Sequence, residues 1–415
     1  MNQSDKYHAR HFSFQFLYSL MFKCACFLLF FIAGNAIAQN RDTTDFKPSD
    51  KDLVEVLLKV LHVKTKTATP KVGVLYFSVM PSTNSSIRGG KLILSSINAG
   101  FYLGEPKTTY ISSVYFVPYT NLAQQYGFMS TQNLWTSNNL WNIPGDFKIQ
   151  KLSPYSYGLG SSSPSTDQFV IDYNYIRMYI TGNRKLRNYI YGGVGLNYDR
   201  HYDVKINPKP VQPNPFDSYA VGAGSSSFSS LGMTLNLLFD NRRNSINPDK
   251  GFYSTLVYRI NPGFLGNDNV WTSLYVDARR YFRLPTEKRK IIALWAFYWG
   301  AYGNVPYLNL PGTGMEYNAR SGRGYSLGRF RGKQMLYLES EYRFTFTSNG
   351  LFGGVLFANL QSLEEPITHQ FNYVNPGAGF GARIKFNKAS NINLDLDFGF
   401  GKDSFNFYIN LGELF

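Results

Sequence analysis

From about Lys71 to the last residue, apolar and polar side chains alternate with a period of two, which is typical of β-strands whose two faces meet different surroundings. The clearest segment is 392–400, where apolar residues alternate with asparagine, aspartate and glycine. We therefore predict a strand with one apolar face and one acidic face, the latter formed by Asp395 and Asp397. A soluble β-sandwich would bury the apolar face, whereas a transmembrane barrel would turn it towards lipid, and the alternation alone is compatible with both.

Similar alternation recurs along the chain and gives roughly sixteen strands. Residues 231–239 and 405–411 follow it closely, whereas residues 172–178 alternate poorly and leave their register open. From Leu53 to Leu61 the apolar residues instead recur every three or four positions, as on one face of an α-helix. We predict one short amphipathic helix there, which would plug the barrel mouth, lie on the inner leaflet, dock a partner or simply lead into the first strand.

The connections between the strand segments alternate in length. Tight turns are predicted at 104–107, 182–185, 285–288 and 387–390, and long loops at 152–166, 203–227, 302–329 and 361–373. Outer-membrane barrels have short turns on one side and long loops on the other, and a soluble sandwich has no reason for this sorting. We therefore predict an all-β protein, a transmembrane antiparallel β-barrel of about sixteen strands.

The N-terminus predicts export to the cell outer membrane. An apolar run over 24–33 is followed by an A-x-A cleavage site at 36–38. The predicted organisation is a signal peptide over 1–38, a periplasmic lead-in with the short helix over 39–70, and the barrel over 71–415. The segment before Met21 is long for a signal peptide, so both Met1 and Met21 are compatible with the natural start.

The composition agrees with a β-barrel, and it limits the kinds of reactive group and partner that the chain can have. Charged residues make up 17% of the chain, against about 25% in soluble proteins, and aromatic residues also make up 17%, which suits aromatic girdles at two membrane interfaces. Both cysteines, Cys24 and Cys26, fall in the predicted signal peptide, which excludes disulfides and cysteine nucleophiles from the mature chain. For an exported chain, the formal net charge of +15 favours anionic lipid and lipopolysaccharide headgroups as partners over nucleic acid, and a diffuse surface charge without a partner is the alternative.

A long loop late in the chain carries the most specific motif. Residues 321–333 read SGRGYSLGRFRGK, and the strand that follows ends in EYRF at 341–344. This resembles the V-R-G-F/Y loop and E-Y-R-F strand of the BamA/TamA outer-membrane assembly-factor superfamily, also called the bacterial surface antigen family. The turn over 240–252 resembles the family's D-x-R…N-P-x-x-G-[YF] turn, and the resemblance covers about residues 71–415.

The resemblance implies that this loop, between the predicted strands eleven and twelve, folds back into the barrel lumen. The luminal motif residues are then Gly322, Arg323, Gly324 and Tyr325. The candidate partners of Arg323 are the carboxylates that the period-two pattern turns inward, namely Glu339, Glu341, Asp395 and Asp397. We predict that the Arg323 guanidinium anchors the loop to this wall.

Several positions depart from the family pattern. Gly322 stands where the family usually has Val, and Asn359 and Gln361 stand where assembly factors commonly have an acidic residue and Gly. The predicted lead-in over 39–70 is also too short for the periplasmic POTRA domains of the family. The sequence therefore resembles a short member that lacks POTRA domains.

The final residue, Phe415, continues an alternating pattern and resembles the terminal aromatic that the barrel assembly machinery recognises during biogenesis. Asn410 and Glu413 do not match the Gly and apolar positions of that signal. We predict that Phe415 is needed for assembly, because the last strand must be recognised and then close the barrel.

No catalytic residue, metal ligand set or cofactor site is predicted, because no nucleophile, base and orienting group can be nominated together. The leading hypothesis is a BamA/TamA-type barrel that aids insertion, tethering or translocation of an unidentified client at the outer membrane. The alternative is a passive pore or structural barrel that has the fold without the assembly activity.

Overall fold

The computed structural model describes residues 51–415 apart from 61, 63–71, 85–91, 122–124, 208–218, 220–225, 243, 266, 268, 287, 317–319 and 388–390. The predicted signal peptide and most of the predicted lead-in therefore lie outside the described residues. The strands are β1 Tyr76–Asn84, β2 Leu92–Phe101, β3 Ser112–Thr120, β4 Tyr126–Trp135, β5 Trp141–Leu152, β6 Tyr155–Ser156, β7 Phe169–Arg187, β8 Ile190–Asn207, β9 Ser227–Asp240, β10 Gly251–Asn261, β11 Trp271–Arg283, β12 Lys290–Gly303, β13 Gln334–Thr345, β14 Phe352–Leu363, β15 Asn375–Asn387, β16 Ile392–Gly401 and β17 Ser404–Leu411. The helices are α1 Leu53–Val60 and the short 3-10 turns Ser137–Asn139, Ser165–Asp167, Gly263–Leu265 and Tyr307–Asn309.

All strands belong to one antiparallel sheet that closes on itself. Sixteen long strands each pair with the next, the two-residue β6 pairs only with β7, and β1 pairs with both β2 and β17. The predicted all-β antiparallel barrel of about sixteen strands is confirmed. Closure removes the free sheet edges that could not be satisfied in lipid.

The alternation of the sequence produces an apolar outer surface and a polar interior. On β9, Met233, Leu235 and Leu237 are 42%, 56% and 52% exposed, whereas Thr234 and Asn236 between them are buried. An exposed apolar band of this extent is accommodated by lipid and not by water. The arrangement excludes the soluble sandwich, in which the same apolar side chains would form the core.

The predicted amphipathic helix is present as α1. The Asp52 carboxylate accepts a hydrogen bond of 2.7 Å from the Glu55 backbone N–H and so caps the first turn. The Lys51 N–H donates to the carbonyl of Asn349 (3.0 Å), which lies in the connection between β13 and β14. Within the described residues, no helix is long and apolar enough to cross a membrane.

The longest connections join strand ends that lie on one side of the barrel, called the long-loop side below. They are 153–168, 208–226, 304–333 and 364–374, and they follow β5, β8, β12 and β14. The opposite side, called the short-turn side, carries the connections after β7, β11, β13 and β15 and the start of α1. The sorting of loops inferred from the sequence therefore holds for the longest connections.

One predicted turn is wrong. Residues 182–185 lie inside β7, because the ladder with β8 continues through Gly182–Val194 and Asn183–Gly193. The turn falls at 188–189 instead, where Tyr189 adopts a positive φ of 67°. Gly and Asn are common turn residues, but here glycines on both strands allow close cross-strand packing.

One predicted loop boundary also differs from the structure. β8 continues to Asn207, so that the strand includes the first residues of the loop predicted from Asp203. The register of β7 against β8 also shifts between Asp172 and Asn174, and the extra residue lies on β8, which runs from Lys205 to Tyr202 over the same interval. The side chains of β7 keep alternating there, with Tyr173 and Tyr175 buried between partly exposed neighbours, so the poor alternation of the sequence comes from tyrosines on the inner face.

Candidate functional site: the luminal loop and its wall

The connection 304–333 is called the luminal loop, and its described residues, 304–316 and 320–333, run inside the barrel. It is the connection between the eleventh and twelfth long strands, as the resemblance implied. In its first part Val305, Tyr307 and Leu310 are buried against aromatic side chains of the barrel wall such as Phe169 and Trp271. In its second part Tyr325 and Phe330 pack with the inward rings of β12 and β13. Burial of these side chains holds the loop within the lumen.

Arg323 lies in the second part of the luminal loop, and its side chain is 1% exposed. Its Nε donates to Glu339 Oε1 (2.9 Å) and its Nη1 donates to Asp397 Oδ2 (2.8 Å), while Nη2 donates to Glu339 and Glu341. The guanidinium also stacks on Phe357, 3.5 Å from the ring centroid. The structure thus brings Arg323 together with carboxylates from β13 and from β16.

The charge of Arg323 is stabilised by this surrounding. Burial by itself lowers the pKa of the guanidinium, but Glu339, Glu341 and Asp397 outweigh burial and raise that pKa above its ordinary value. Arg323 is therefore a cation whose several carboxylate partners come from two strands, and the planar guanidinium is the side chain that can serve them simultaneously.

Glycines allow the motif to approach the wall closely. Gly324 has a positive φ of 103°, and its N–H donates to the Tyr408 hydroxyl (3.2 Å). A Cβ at Gly399 on β16 would lie 2.6 Å from the Gly324 nitrogen. Both positions therefore exclude a side chain. Gly324 adopts the left-handed backbone region, and Gly399 lies against the main chain of the loop.

Asp395 is not a partner of Arg323. Its Oδ1 lies 3.2 Å from Arg383 Nε, and Arg383 also contacts Asp397 (2.5 Å) and Glu413 (3.1 Å). On β13, Arg343 contacts Glu341 (2.6 Å). We call the connected set the luminal ion network: the guanidiniums of Arg323, Arg343 and Arg383 with the carboxylates of Glu339, Glu341, Asp395, Asp397 and Glu413.

The position of Phe415 differs from the prediction. β17 ends at Leu411, and residues 412–415, called the C-terminal tail, turn into the lumen at Gly412, whose φ is +87°. Phe415 is buried against Trp295, with ring centroids 5.2 Å apart, and its carbonyl oxygen accepts a hydrogen bond from Arg343 (2.9 Å). Phe415 therefore does not lie on an alternating strand.

The tail and the luminal loop contact each other directly. Arg320 of the loop donates to the carbonyl oxygens of Glu413 (2.9 Å) and Leu414 (3.2 Å). Glu413 also accepts from Asn393 (2.5 Å). The terminal assembly signal has an apolar residue at this position, whereas this chain has Glu413. The difference is explained because the Glu413 side chain faces the luminal ion network and not lipid.

Several site residues were not identified as partners from the sequence. Asn359 donates to the Arg323 carbonyl oxygen (3.0 Å), and Gln361 accepts from Thr313 of the luminal loop (2.8 Å). In the sequence these two residues depart from the family pattern, and in the structure they bind the loop through neutral hydrogen bonds. Arg383 lies on a glycine-rich strand, and the period-two pattern of β15 would have indicated that it faces inward.

The long loops are tied to one another at the mouth on the long-loop side. The Gly160 N–H donates to the Arg331 carbonyl oxygen (2.7 Å), and Arg329 donates to the carbonyl oxygen of Ser163 (2.9 Å). From the loop after β14, Glu365 accepts a hydrogen bond from the Ser162 hydroxyl (2.6 Å). Three long loops therefore meet over the lumen at this end.

The other half of the lumen is less filled. A cavity of about 510 Å³ lies between the luminal loop, the tail and the wall formed by β3 to β11. On that wall Arg259 contacts Asp199 (2.6 Å), and Asp199 also lies 3.3 Å from Arg177. His201 stacks on Tyr175 (centroids 4.5 Å apart). In the part of the chain that the structure describes, no group of three His, Cys, Asp or Glu side chains is placed to hold a metal ion.

Comparison with solved structures identifies the same fold in outer-membrane proteins. BamA from Haemophilus ducreyi, in a structure lacking POTRA domains 1–3, superposes with a TM-score of 0.52 at 12% identity over 80% of this chain and 69% of that one. CdiB from Escherichia coli gives 0.55 at 12% identity over 83% and 63%, and CdiB from Acinetobacter baumannii gives 0.50 at 12% identity over 81% and 59%. This chain has the barrel fold of BamA and CdiB.

These neighbours support the predicted location in the outer membrane and confirm the fold that the luminal-loop motif implied. The chain spans less than two thirds of the length of either CdiB structure. No protein-family model matches the sequence, and no curated protein matches it.

Proposed function

We propose that this chain is an outer-membrane barrel that aids insertion or translocation of a client protein by opening between β1 and β17. The observation that carries the proposal is the seam between these strands, as far as the structure describes it. Over its described residues, 76–84, β1 pairs with β2 along its whole length but with β17 only at Thr83–Ile409 and Asn84–Tyr408. A seam with few ladder hydrogen bonds costs less free energy to open than its neighbours, because fewer backbone groups lose their partners.

An opened seam would present the unpaired backbone groups of β1 and β17 within the membrane. A client strand can satisfy those groups by adding to the edge, and this is how extended segments bind to sheets. The client class that fits is therefore a protein that enters the membrane as β-strands. The resemblance to assembly factors supports the same class.

The passive pore is the second candidate, and the arrangement of the long loops disfavours it. Loops 153–168, 304–333 and 364–374 are hydrogen-bonded to one another across the lumen at one end. A passive pore needs an unobstructed path between both ends of the barrel. We expect the purified barrel to give low conductance in planar bilayers.

A reversible lock across the seam tests the proposal. Thr83→Cys with Ile409→Cys joins two residues that face each other on β1 and β17. Leu396→Cys with Ile409→Cys is the matched control, because it joins the same position to the neighbouring strand β16. Paired residues on antiparallel strands lie close enough for a disulfide, and the native cysteines, Cys24 and Cys26, belong to the predicted signal peptide.

Outer-membrane protein levels in cells that depend on each variant provide the measurement. We expect the seam lock to lower the same outer-membrane proteins that fall when the chain is depleted, and a reductant to restore them. The control lock should have no effect. Normal protein levels with the seam fully cross-linked, together with a large steady conductance, would instead support the passive pore.

A further inference from the structure

The outer surface at the short-turn side carries cations among its aromatic side chains. On β10 to β13 the outward positions include no aspartate or glutamate, and their charged residues are Arg280 near the end of β11 and Lys290 at the start of β12. Lys288 is exposed in the connection between these two strands. Among the described residues of these strands and this connection, the outward charges are therefore all positive.

These cations are interleaved with phenylalanines, of which Phe282 and Phe346 are exposed and Phe344 is partly exposed. The Arg280 guanidinium lies 5.3 Å from the centroid of Phe282, which is 43% exposed. Lys290 is in register with Phe344 on β13, and Lys288 Nζ donates to the carbonyl oxygen of Phe346 (2.8 Å). We call this surface the basic–aromatic rim: Arg280, Phe282, Lys288, Lys290, Phe344 and Phe346.

Near the same end of the barrel, the cations that face the lumen bind acceptor groups of the protein itself. Arg283 contacts Asp249 (3.2 Å), and Arg289 donates to the Asn247 side chain (2.8 Å). Arg280, Lys288 and Lys290, in contrast, form no ion pair with any carboxylate that the structure describes. Glu287 is the acidic residue of the same connection in the sequence and lies outside the described residues.

We propose that the basic–aromatic rim binds an anionic phospholipid of the phosphatidylglycerol class. Its phosphate would be held by the outward cations and its acyl chains would lie along the phenylalanine rings and the apolar band above them. The short-turn side is the end where α1 and the C-terminal tail lie, opposite the long loops, so the rim meets the phospholipid leaflet and not the lipopolysaccharide leaflet. The inference concerns the lipid surroundings and does not depend on the client.

Native mass spectrometry of the purified full chain, incubated with equal amounts of phosphatidylglycerol and phosphatidylcholine of the same acyl chains, tests the proposal. The test variant combines Arg280→Gln, Lys288→Gln and Lys290→Gln. The matched control combines Lys59→Gln, Lys107→Gln and Lys402→Gln, which removes the same charge from exposed positions outside the rim. Heat-modifiable migration verifies that each variant is folded, and Lys290→Gln alone serves if the triple variant does not fold.

We expect the parent and the control to bind more phosphatidylglycerol than phosphatidylcholine. In the test variant, the ratio of bound phosphatidylglycerol to bound phosphatidylcholine should fall about tenfold. The single Lys290→Gln variant should lose part of it. An equal loss in the control, or an unchanged preference in the test variant, would overturn the proposal. A preference for lipopolysaccharide over phosphatidylglycerol that depends on the rim would overturn the assignment to phospholipid.

Discussion

The two halves of the lumen are built from the same alternating strands but are filled differently. Along β12 to β17, the luminal loop and the C-terminal tail lie against the wall. Arg323 of the loop, Arg343 of β13 and Arg383 of β15 bind the carboxylates there. Along β3 to β11, the first part of the loop packs on the wall, but the wall also faces a cavity of about 510 Å³. The ion pairs described on this wall, such as Arg259 with Asp199, join wall residues to one another and include no residue of the loop.

The difference shows that strand alternation sets only whether a side chain points inward or outward. The luminal loop and the C-terminal tail, which enter the lumen, decide how many partners an inward charged side chain has. In the luminal ion network, five carboxylates share three guanidiniums, so each guanidinium is needed. In the cavity half, Lys148, Arg177 and Arg259 serve Asp146 and Asp199, so cations are in excess. Removal of one arginine should therefore have unequal effects in the two halves.

The largest effect is expected for Arg323→Ala. The change leaves carboxylates buried without a compensating charge, which destabilises proteins by about 3–5 kcal/mol. We expect a lower melting temperature of the folded barrel, measured by heat-modifiable gel migration, and cleavage of the luminal loop by added protease. Arg323→Lys should restore stability only in part, because a single ammonium cannot reproduce the planar set of donors.

Arg329→Ala is the matched control in the same loop. Arg329 is partly exposed and binds the carbonyl and hydroxyl oxygens of Ser163, and it contacts no carboxylate among the described residues. Its loss should have a small effect on melting. Equal protease resistance and equal melting of the Arg323 variants and the parent would show that the guanidinium does not anchor the loop.

A somewhat smaller effect is expected for Phe415→Ala, which removes a ring from the packed half. Loss of a buried Phe side chain costs about 3 kcal/mol. We expect lower melting of barrel refolded in detergent, in addition to the lower cellular assembly predicted for a terminal signal. Phe405→Ala, on the 52% exposed outward position of β17, is the control and should melt almost like the parent. Lower assembly with unchanged melting would mean that Phe415 acts only as a signal.

Glu413→Gln tests the charge balance through pH. Burial by itself raises the pKa of the Glu413 carboxyl, but Arg383 and Arg343 lower that pKa to about 2. The folded pKa lies below the unfolded value of about 4.3, so the carboxylate stabilises the barrel above that pH and loses this contribution as the pH falls towards 2. We expect the free energy of unfolding of the parent to exceed that of the variant by about 1–2 kcal/mol at neutral pH. This difference should disappear near pH 2. A difference that does not change with pH would contradict the ion-paired state of Glu413.

The sequence predicted the barrel because period-two alternation and loop lengths are local patterns. It also predicted the inward direction of Glu339 and Glu341, which follows from strand parity alone. It could not show that Asp395 binds Arg383 and not Arg323, because the choice of partner depends on the shear between strands and on the depth of the loop. The turn of the chain at Gly412 was equally hidden, since alternating residues before it suggested that the strand continues.

The smallest effect is expected for Arg259→Ala in the cavity half, which completes the comparison of the two networks. Arg259 is buried, and it donates to Asp199 (2.6 Å) and to Tyr179 (2.7 Å). After its removal Asp199 still accepts hydrogen bonds from Tyr175 (2.6 Å) and from Arg177 (3.3 Å), so the carboxylate keeps partners. The residue also lines the cavity, where water can take the place of the lost donors. We therefore expect a loss of about 1 kcal/mol, well below that of Arg323→Ala, in the same melting assay. A loss as large as that of Arg323→Ala would show that the cavity half is as firmly cross-linked as the loop half, and that the filling of the lumen does not set the strength of its ion pairs.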